Sequence, residues 1–356
     1  MRKNHNNFFN LAFNLAKMNL AKTNSNPSVG CVVVKDDSVI SSGFTSLNGR
    51  PHAEYNALNK KINFKGAKLF VTLEPCTHYG LTAPCTNIIE NKKIKKVFYS
   101  FNDIDSRTNK KAKFLLNKKN IKVFKKVSNK YKDFYQSYFI NKKNLIPFLD
   151  AKIALSKDYY SINKRSRWIT NVPSRNRAHL IRSEYDSILS TSKSINKDNS
   201  LLNCRLNGFN NSKPDLIIID LNLKIKKNLY LFNLSKKRRI VIITSIKKNK
   251  KIKFLLKKGI EIIEIKSLKK KIDFLSLLKT LNKKGFNRIL VETGLTFLNV
   301  LLKNKLIHNL YLFKSAKKLG VYGLNNCSVN FIKNLKRKCK IKVNLNGENL
   351  YKFKII

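Results

Sequence analysis

The sequence predicts two α/β domains in tandem, 1–146 and 147–356, the first a sheet with helices on both faces. Three observations predict it. At 356 residues the chain exceeds one typical domain and suits two. Its 42% hydrophobic content supplies two cores. Short apolar runs alternate with stretches of helical spacing, and this alternation occurs twice, on either side of residue 146.

The elements follow in order. Phe8, Leu11, Ala12, Leu15 and Ala16 repeat at helix spacing, and Asn24-Ser25-Asn26-Pro27 ends that segment. Val29 to Val34 is short enough for a buried strand, with a second strand near Val39. Residues His52 to Leu58 suit a helix starting just after Pro51. Leu69 to Leu73 reads as a strand ending at Glu74-Pro75. Ile88-Ile89 fall on a helix, Val97 to Tyr99 on a strand, and Phe114 to Leu116 on another helix. Residues 126 to 146, rich in Lys, Asn and aromatics, read as a connecting segment. Beyond Pro147 the clearest strands are Leu216–Ile219, Ile240–Ile243, Ile260–Ile265 and Ile289–Val291. Helices are expected at Pro173–Arg182, Leu275–Leu281 and Thr296–Leu302.

Composition narrows the class. No run approaches the ~18 apolar residues of a membrane span, and the polar start Met1 to Asn7 does not read as a signal peptide. The six cysteines are irregularly spaced in a large chain, unlike a disulfide scaffold, so a reducing cytoplasm is expected. The net charge of +54 would suit a nucleic-acid binder. However, doublets such as Lys60-Lys61, Lys142-Lys143 and Lys247-Lys248 are scattered, among abundant Asn and Ile. That is compositional drift of the kind an AT-rich genome favours, and no specific nucleic-acid partner is expected.

Chemistry concentrates in Pro51-His52-Ala53-Glu54 and in Pro75-Cys76 … Pro84-Cys85. One imidazole and two thiols are three ligands of a catalytic zinc, with a fourth position left open. Each of the three follows a proline, a residue favoured where helices begin, and helix N-termini favour the thiolate form. Glu54, two positions after His52, supplies a carboxylate that faces the open position without ligating. It can take a proton from water and hand it to a leaving amine. Two cysteines nine positions apart are, taken singly, more often buried hydrophobes; the His-x-Glu beside them changes that weighting. Cys31 lies in a predicted strand and reads as core. Cys204, Cys327 and Cys339 lack a partner at ligand spacing and read as structural. The pattern departs from the H-x-E … P-C-x-x-C signature of nucleobase deaminases in having eight residues, not two, between its cysteines.

Asn26 to Val34, Pro51 to Glu54, Val71 to Gly80 and Thr82 to Cys85 closely resemble the bifunctional riboflavin-biosynthesis deaminase/reductase (RibD) family. Ser166 to Thr170, His179 to Arg182, Asp186 to Leu189 and Val291 to Gly294 resemble its reductase landmarks. The resemblance implies a cytidine-deaminase-like three-layer α/β/α domain followed by a dihydrofolate-reductase-like α/β domain. It implies zinc-dependent deamination of a diaminopyrimidinone ribosyl phosphate, then NADPH-dependent reduction of the ribosyl group to ribityl. His52, Cys76 and Cys85 would hold Zn2+, and Glu54 would be catalytic. Asn26, Asp103 and Asp105 match substrate positions of the deaminase. Ser166, Arg182, Leu202, Arg205 and Glu292 match those of the reductase. Ala154, Trp168, Ser194, Asp198 and the run Gly294, Leu295, Thr296, Phe297, Leu298, Asn299 and Val300 match NADPH positions. Arg182 and Arg205 are forks suited to a phosphate. A homo-oligomer is expected.

The chain also departs from the family pattern. Leu81 stands where a basic residue is usual, removing one phosphate partner. Asn109-Lys110-Lys111 replaces a Gly-rich stretch, and Lys157-Asp158-Tyr159 a Leu-Asp-Gly segment. Asp198-Asn199-Ser200 replaces Asp-Asp-Pro, and Glu292-Thr293-Gly294-Leu295 replaces Glu-Gly-Gly-Pro. Two alternatives therefore stand beside the bifunctional reading: a deaminase with a vestigial reductase domain, and a basic RNA-binding or RNA-editing deaminase. Retention of Arg182, Arg205 and Glu292 argues against the first. The lack of a localised basic stripe argues against the second.

Overall fold

The computed structural model describes residues 2–127, 129–209, 213–327, 335 and 338–356. The chain divides into two compact units, Met1–Leu145 and Ile146–Ile356. Among the described residues no helix is long and apolar enough to cross a membrane.

The first unit opens with α1 (Arg2–Met18), whose Phe9, Ala12, Phe13 and Ala16 are buried at helix spacing. Then come β1 (Gly30–Lys35), β2 (Ser38–Phe44), α2 (Ala53–Leu58), β3 (Lys68–Leu73), α3 (Cys85–Asn91), β4 (Lys96–Phe101), α4 (Lys111–Lys118) and β5 (Lys122–Lys125). The sheet order is β2-β1-β3-β4-β5. β1 is antiparallel to both neighbours, whereas β3, β4 and β5 run parallel. The loops after β3 and β4 thus leave the same edge of the sheet, and they carry the site described below.

Two glycines let helices lie directly on this sheet. A Cβ on Gly30 would stand 1.9 Å from the Ala12 carbonyl oxygen of α1. A Cβ on Gly43 would stand 2.5 Å from the Ala57 amide of α2. The second contact sets the seat of the helix that carries Glu54.

Residues 126 to 146 do not form a connecting segment. A short 3-10 turn, Asn129–Tyr131, leads to α5 (Gln136–Asn144), and both belong to the first unit. The Tyr131 ring stacks on Phe13 at 3.9 Å, and the buried Tyr135 hydroxyl lies 2.6 Å from that of Thr72 on β3. Tyr131, Phe134, Tyr135, Tyr138 and Phe139 recur at helical spacing, so the aromatics are core.

The second unit comprises β6 (Phe148–Leu155), β7 (Tyr160–Asn163), α6 (Val172–Arg182), β8 (Ser187–Thr191), α7 (Ser192–Asp198), β9 (Asp215–Ile219), β10 (Ile240–Thr244), α8 (Lys250–Lys257), β11 (Glu261–Glu264), α9 (Lys271–Lys283), β12 (Arg288–Val291), α10 (Leu295–Lys303), β13 (Asn309–Lys314), β14 (Gly323–Asn326), β15 (Lys338–Lys340) and β16 (Asn349–Lys354). A nine-stranded sheet has the order β11-β10-β9-β8-β12-β6-β13-β16-β15. Its strands are parallel from β11 through β13. β16 and β15 then add antiparallel pairings. The Ile- and Val-rich strands are buried on both faces, as parallel sheets covered by helices require. β7 and β14 form a separate ribbon. Both units are α/β.

Candidate active sites

The candidate metal centre is assembled from α2 and the loop between β3 and α3. His52 is the N-cap of α2, with its carbonyl accepting from the Asn56 amide. Its Nδ1 lies 3.6 Å from Cys76 Sγ and 3.4 Å from Cys85 Sγ. The three ligand atoms lie within 4.8 Å of one another, a set one ion can bridge.

The prolines act differently from the sequence expectation. Pro84 is the N-cap of α3 rather than its first helical residue, and Cys76 lies in a loop. The first N–H of α3, on Cys85, donates to Cys76 Sγ at 3.2 Å. The helix start therefore stabilises Cys76, the cysteine outside the helix. Hydrogen bonding from the Cys85 thiol helps hold Cys76 down at about 4, and the same contact pushes Cys85 up. Glu54 sits beside them, 4% exposed, and burial raises its carboxyl to about 7.

The loop after β4 is fastened to the ligand loop by a residue to which sequence reasoning gave no role. Buried Glu74 accepts from the Asp103, Lys110 and Ala112 amides at 3.2, 3.0 and 3.2 Å. Thr77 donates to the Arg107 carbonyl, and His78 Nδ1 meets the Thr108 hydroxyl at 3.1 Å. Asp103 is buried and takes a hydrogen bond from Tyr138 at 2.9 Å. Asp105 is held by Arg107, which keeps it well below the usual carboxylate range. Asn26 donates to the Gly49 carbonyl, three residues before His52.

In the second unit the candidate residues gather at the carboxyl ends of β8, β12 and β6. Glu292, directly after β12, is gripped by Arg182 through Nε and Nη2, the latter at 2.9 Å. Lys152 of β6 adds an ion pair at 2.6 Å. Burial alone would raise the Glu292 carboxyl, but these two cations hold it well below the usual range. The Arg182 fork is thus not open to a phosphate: both of its parallel donors are on Glu292, and Nη1 donates to the Asn203 carbonyl. Arg205 is the freer fork, its Nη1 on Asn203 Oδ1 and its Nη2 3.4 Å from His179 Nε2. Burial, followed by the two arginines, pushes His179 down to about 4. Leu202 is buried, with the buried Arg238 donating to the carbonyls of Leu201 and Leu202.

Gly294 is the N-cap of α10, and its amide donates to Ser194 Oγ of α7 at 3.2 Å. The side chains of Leu295 and Leu298 enter the core, and Phe297 and Val300 pack against it. Leu295 and Leu298 therefore offer a ligand their backbone alone. Thr296 is exposed, and Asn299 Oδ1 is buried without a hydrogen-bond partner. The ring of Trp168, 47% exposed, meets the guanidinium groups of Arg167 and Arg175 at 5.0 and 4.6 Å. Its amide donates to Ser166 Oγ. Asp198 ends α7, its carbonyl taking a bond from Arg167, and Ala154 is half-buried on β6. Cys31, Cys204 and Cys327 are buried, but Cys339, expected to be structural, is exposed.

The cytidine and deoxycytidylate deaminase zinc-binding region matches residues 2–101, and the RibD C-terminal domain matches residues 147–338. The riboflavin biosynthesis protein RibD of Aquifex aeolicus is 30% identical over 98% of this chain and 97% of its own length. A Thermotoga maritima structure, a diaminohydroxyphosphoribosylaminopyrimidine deaminase/5-amino-6-(5-phosphoribosylamino)uracil reductase, superposes with a TM-score of 0.82 at 26% identity over 99% of each chain. Acinetobacter baumannii RibD gives 0.82 at 25% identity, also over 99% of each.

Proposed function

The chain belongs to the RibD family, the bifunctional deaminase/reductases of riboflavin biosynthesis, and on that premise we propose how its residues divide the work. Residues 1–146 act as the zinc-dependent pyrimidine deaminase and residues 147–356 as the NADPH-dependent reductase. The substrate is 2,5-diamino-6-(5-phosphoribosylamino)pyrimidin-4(3H)-one, and the second step converts its ribosyl group to ribityl after deamination.

His52 Nδ1, Cys76 Sγ and Cys85 Sγ hold the zinc, and the donor set fits that ion. When bound, it supplies Lewis acidity that makes water nucleophilic at neutral pH. Glu54 takes the proton that water gives up and returns it to the departing amine. Asp103 and Asp105, steadied by Tyr138 and Arg107, present carboxylates and backbone to the pyrimidine. The convergence of His52, Cys76 and Cys85 beside buried Glu54 carries this half of the reading.

In the second unit NADPH supplies the hydride. Gly294 and the free N–H groups opening α10 suit a cofactor phosphate, with Ser194 beside them. Trp168, Ala154 and Asp198 complete the cofactor's surroundings. Arg205 and Asn203 meet the substrate phosphate, while Glu292 orients Arg182 and Lys152. The positive charge is solvated surface, with no specific nucleic-acid partner. The free cysteines suit a cytoplasmic enzyme, and a homo-oligomeric state completes the reading.

A coupled assay tests it. Purified protein is given the diaminopyrimidinone with and without NADPH, and ammonia release and NADPH loss are followed separately. Ammonia should appear without NADPH, and NADPH loss should require the deaminated product. Ammonia without NADPH loss would reduce the second unit to a vestige.

A further inference from the structure

We infer that Arg50 binds the phosphate of the deaminase substrate, replacing the cation that Leu81 does not supply. The inference rests on the substrate proposed above, a monoester phosphate processed at the His52–Cys76–Cys85 site.

The geometry is local. Arg50 precedes the metal-ligating His52 by two residues, and its side chain reaches across to the loop joining Cys76 to Cys85. Nη1 lies 2.6 Å from Thr82 Oγ1, and Nη2 lies 3.5 Å from where a Cβ on Gly80 would stand. The guanidinium therefore rests on both neighbours of Leu81. These neighbours are drawn together by the Gly80 amide, which donates to the Thr82 carbonyl at 3.2 Å. Leu81 itself is 88% exposed. A lysine at 81 and the arginine at 50 would deliver positive charge to the same turn by different routes.

Arg50 is also free and pre-set. Among the described residues no carboxylate forms an ion pair with it. One donor is used on the Thr82 hydroxyl, which leaves most of the fork for an oxyanion. Its backbone is fixed on both sides. The Ser46 amide donates to the Pro51 carbonyl, the Asn48 amide to the Lys22 carbonyl, and Asn26 Nδ2 to the Gly49 carbonyl. A guanidinium on such a closed turn loses little freedom when it meets a phosphate, and charge-assisted pairing of that type is strong. This also gives Asn26 a definite task, holding the turn from which Arg50 projects.

The test uses full-length protein and steady-state ammonia release. Substrates are the diaminopyrimidinone ribosyl phosphate and its dephosphorylated ribosyl counterpart. Zinc content is measured in every variant. For Arg50→Ala, kcat/KM on the phosphorylated substrate should fall about 10- to 100-fold, mainly through KM. Zinc content and kcat/KM on the dephosphorylated compound should hold. Adding Leu81→Lys to Arg50→Ala should recover most of the loss, and Arg50→Lys should lie between. An unchanged KM for the phosphate, or an equal loss on both compounds, would overturn the inference while leaving the deaminase reading intact. A wild-type protein that releases no ammonia from either compound would overturn both.

Discussion

Replacing Glu292 by glutamine should destabilise the second unit far more than its nearly unchanged shape suggests. Glu292 is the sole carboxylate pairing with Lys152 and Arg182 among the described residues, and the three side chains are 5%, 17% and 11% exposed. Glutamine keeps the size and part of the hydrogen bonding but removes the counter-charge from two buried cations. Breaking a buried pair in this way costs about 3–5 kcal/mol. In a unit the size of Ile146–Ile356 that is a fall in Tm of roughly 6–20 °C. The cost should depend on pH with a definite sign. The carboxyl is held below its unfolded value of about 4.3, so its contribution is complete above about pH 5 and fades as pH falls toward its folded value. Scanning calorimetry of the full chain between pH 3 and 7 would follow both quantities, with zinc content reporting that the first unit is intact. A Tm change under about 2 °C at pH 7, or a gap that widens on acidification, would refute the reasoning.

Purified protein should carry about one zinc per chain, lost in Cys76→Ala and in Cys85→Ala; equal metal content in these variants would remove them from the ligand set. Glu54→Gln should keep the zinc while ammonia release drops by ~10²–10⁴, and near-normal release would refute the proton role. Tyr135→Phe should cost the first unit about 1–3 kcal/mol, because it strips a buried hydroxyl from Thr72 and the Ser28 carbonyl; an unchanged urea midpoint would mean that α5 is not anchored there. Leu145→Gly should stabilise the chain by up to about 1 kcal/mol, since exposed Leu145 ends α5 in the left-handed region at φ 54°, and a loss of stability would count against that backbone reading.

The sequence by itself determined the α/β class, the order of the main strands and helices, and the three residues that converge at the candidate metal centre. Each of these depends on local signals: apolar runs of strand length, apolar spacing of helix length, and three ligands in two short motifs. Tertiary structure decided the rest, because it depends on what a side chain meets far along the chain. The aromatics of 126–146 look like linker until Phe13 and Thr72, over fifty residues away, are brought beneath them. Arg182 looks like an open phosphate fork until the sheet sets Glu292, directly after β12, against it, 110 residues later. Glu74 has no visible role until the loop after β4 folds back to hand it three amides. Leu81 reads as a loss until the turn before His52 lays Arg50 across its neighbours. A sequence shows which groups are available; burial and the pairing of distant strands determine which of them are already occupied and which remain free to bind.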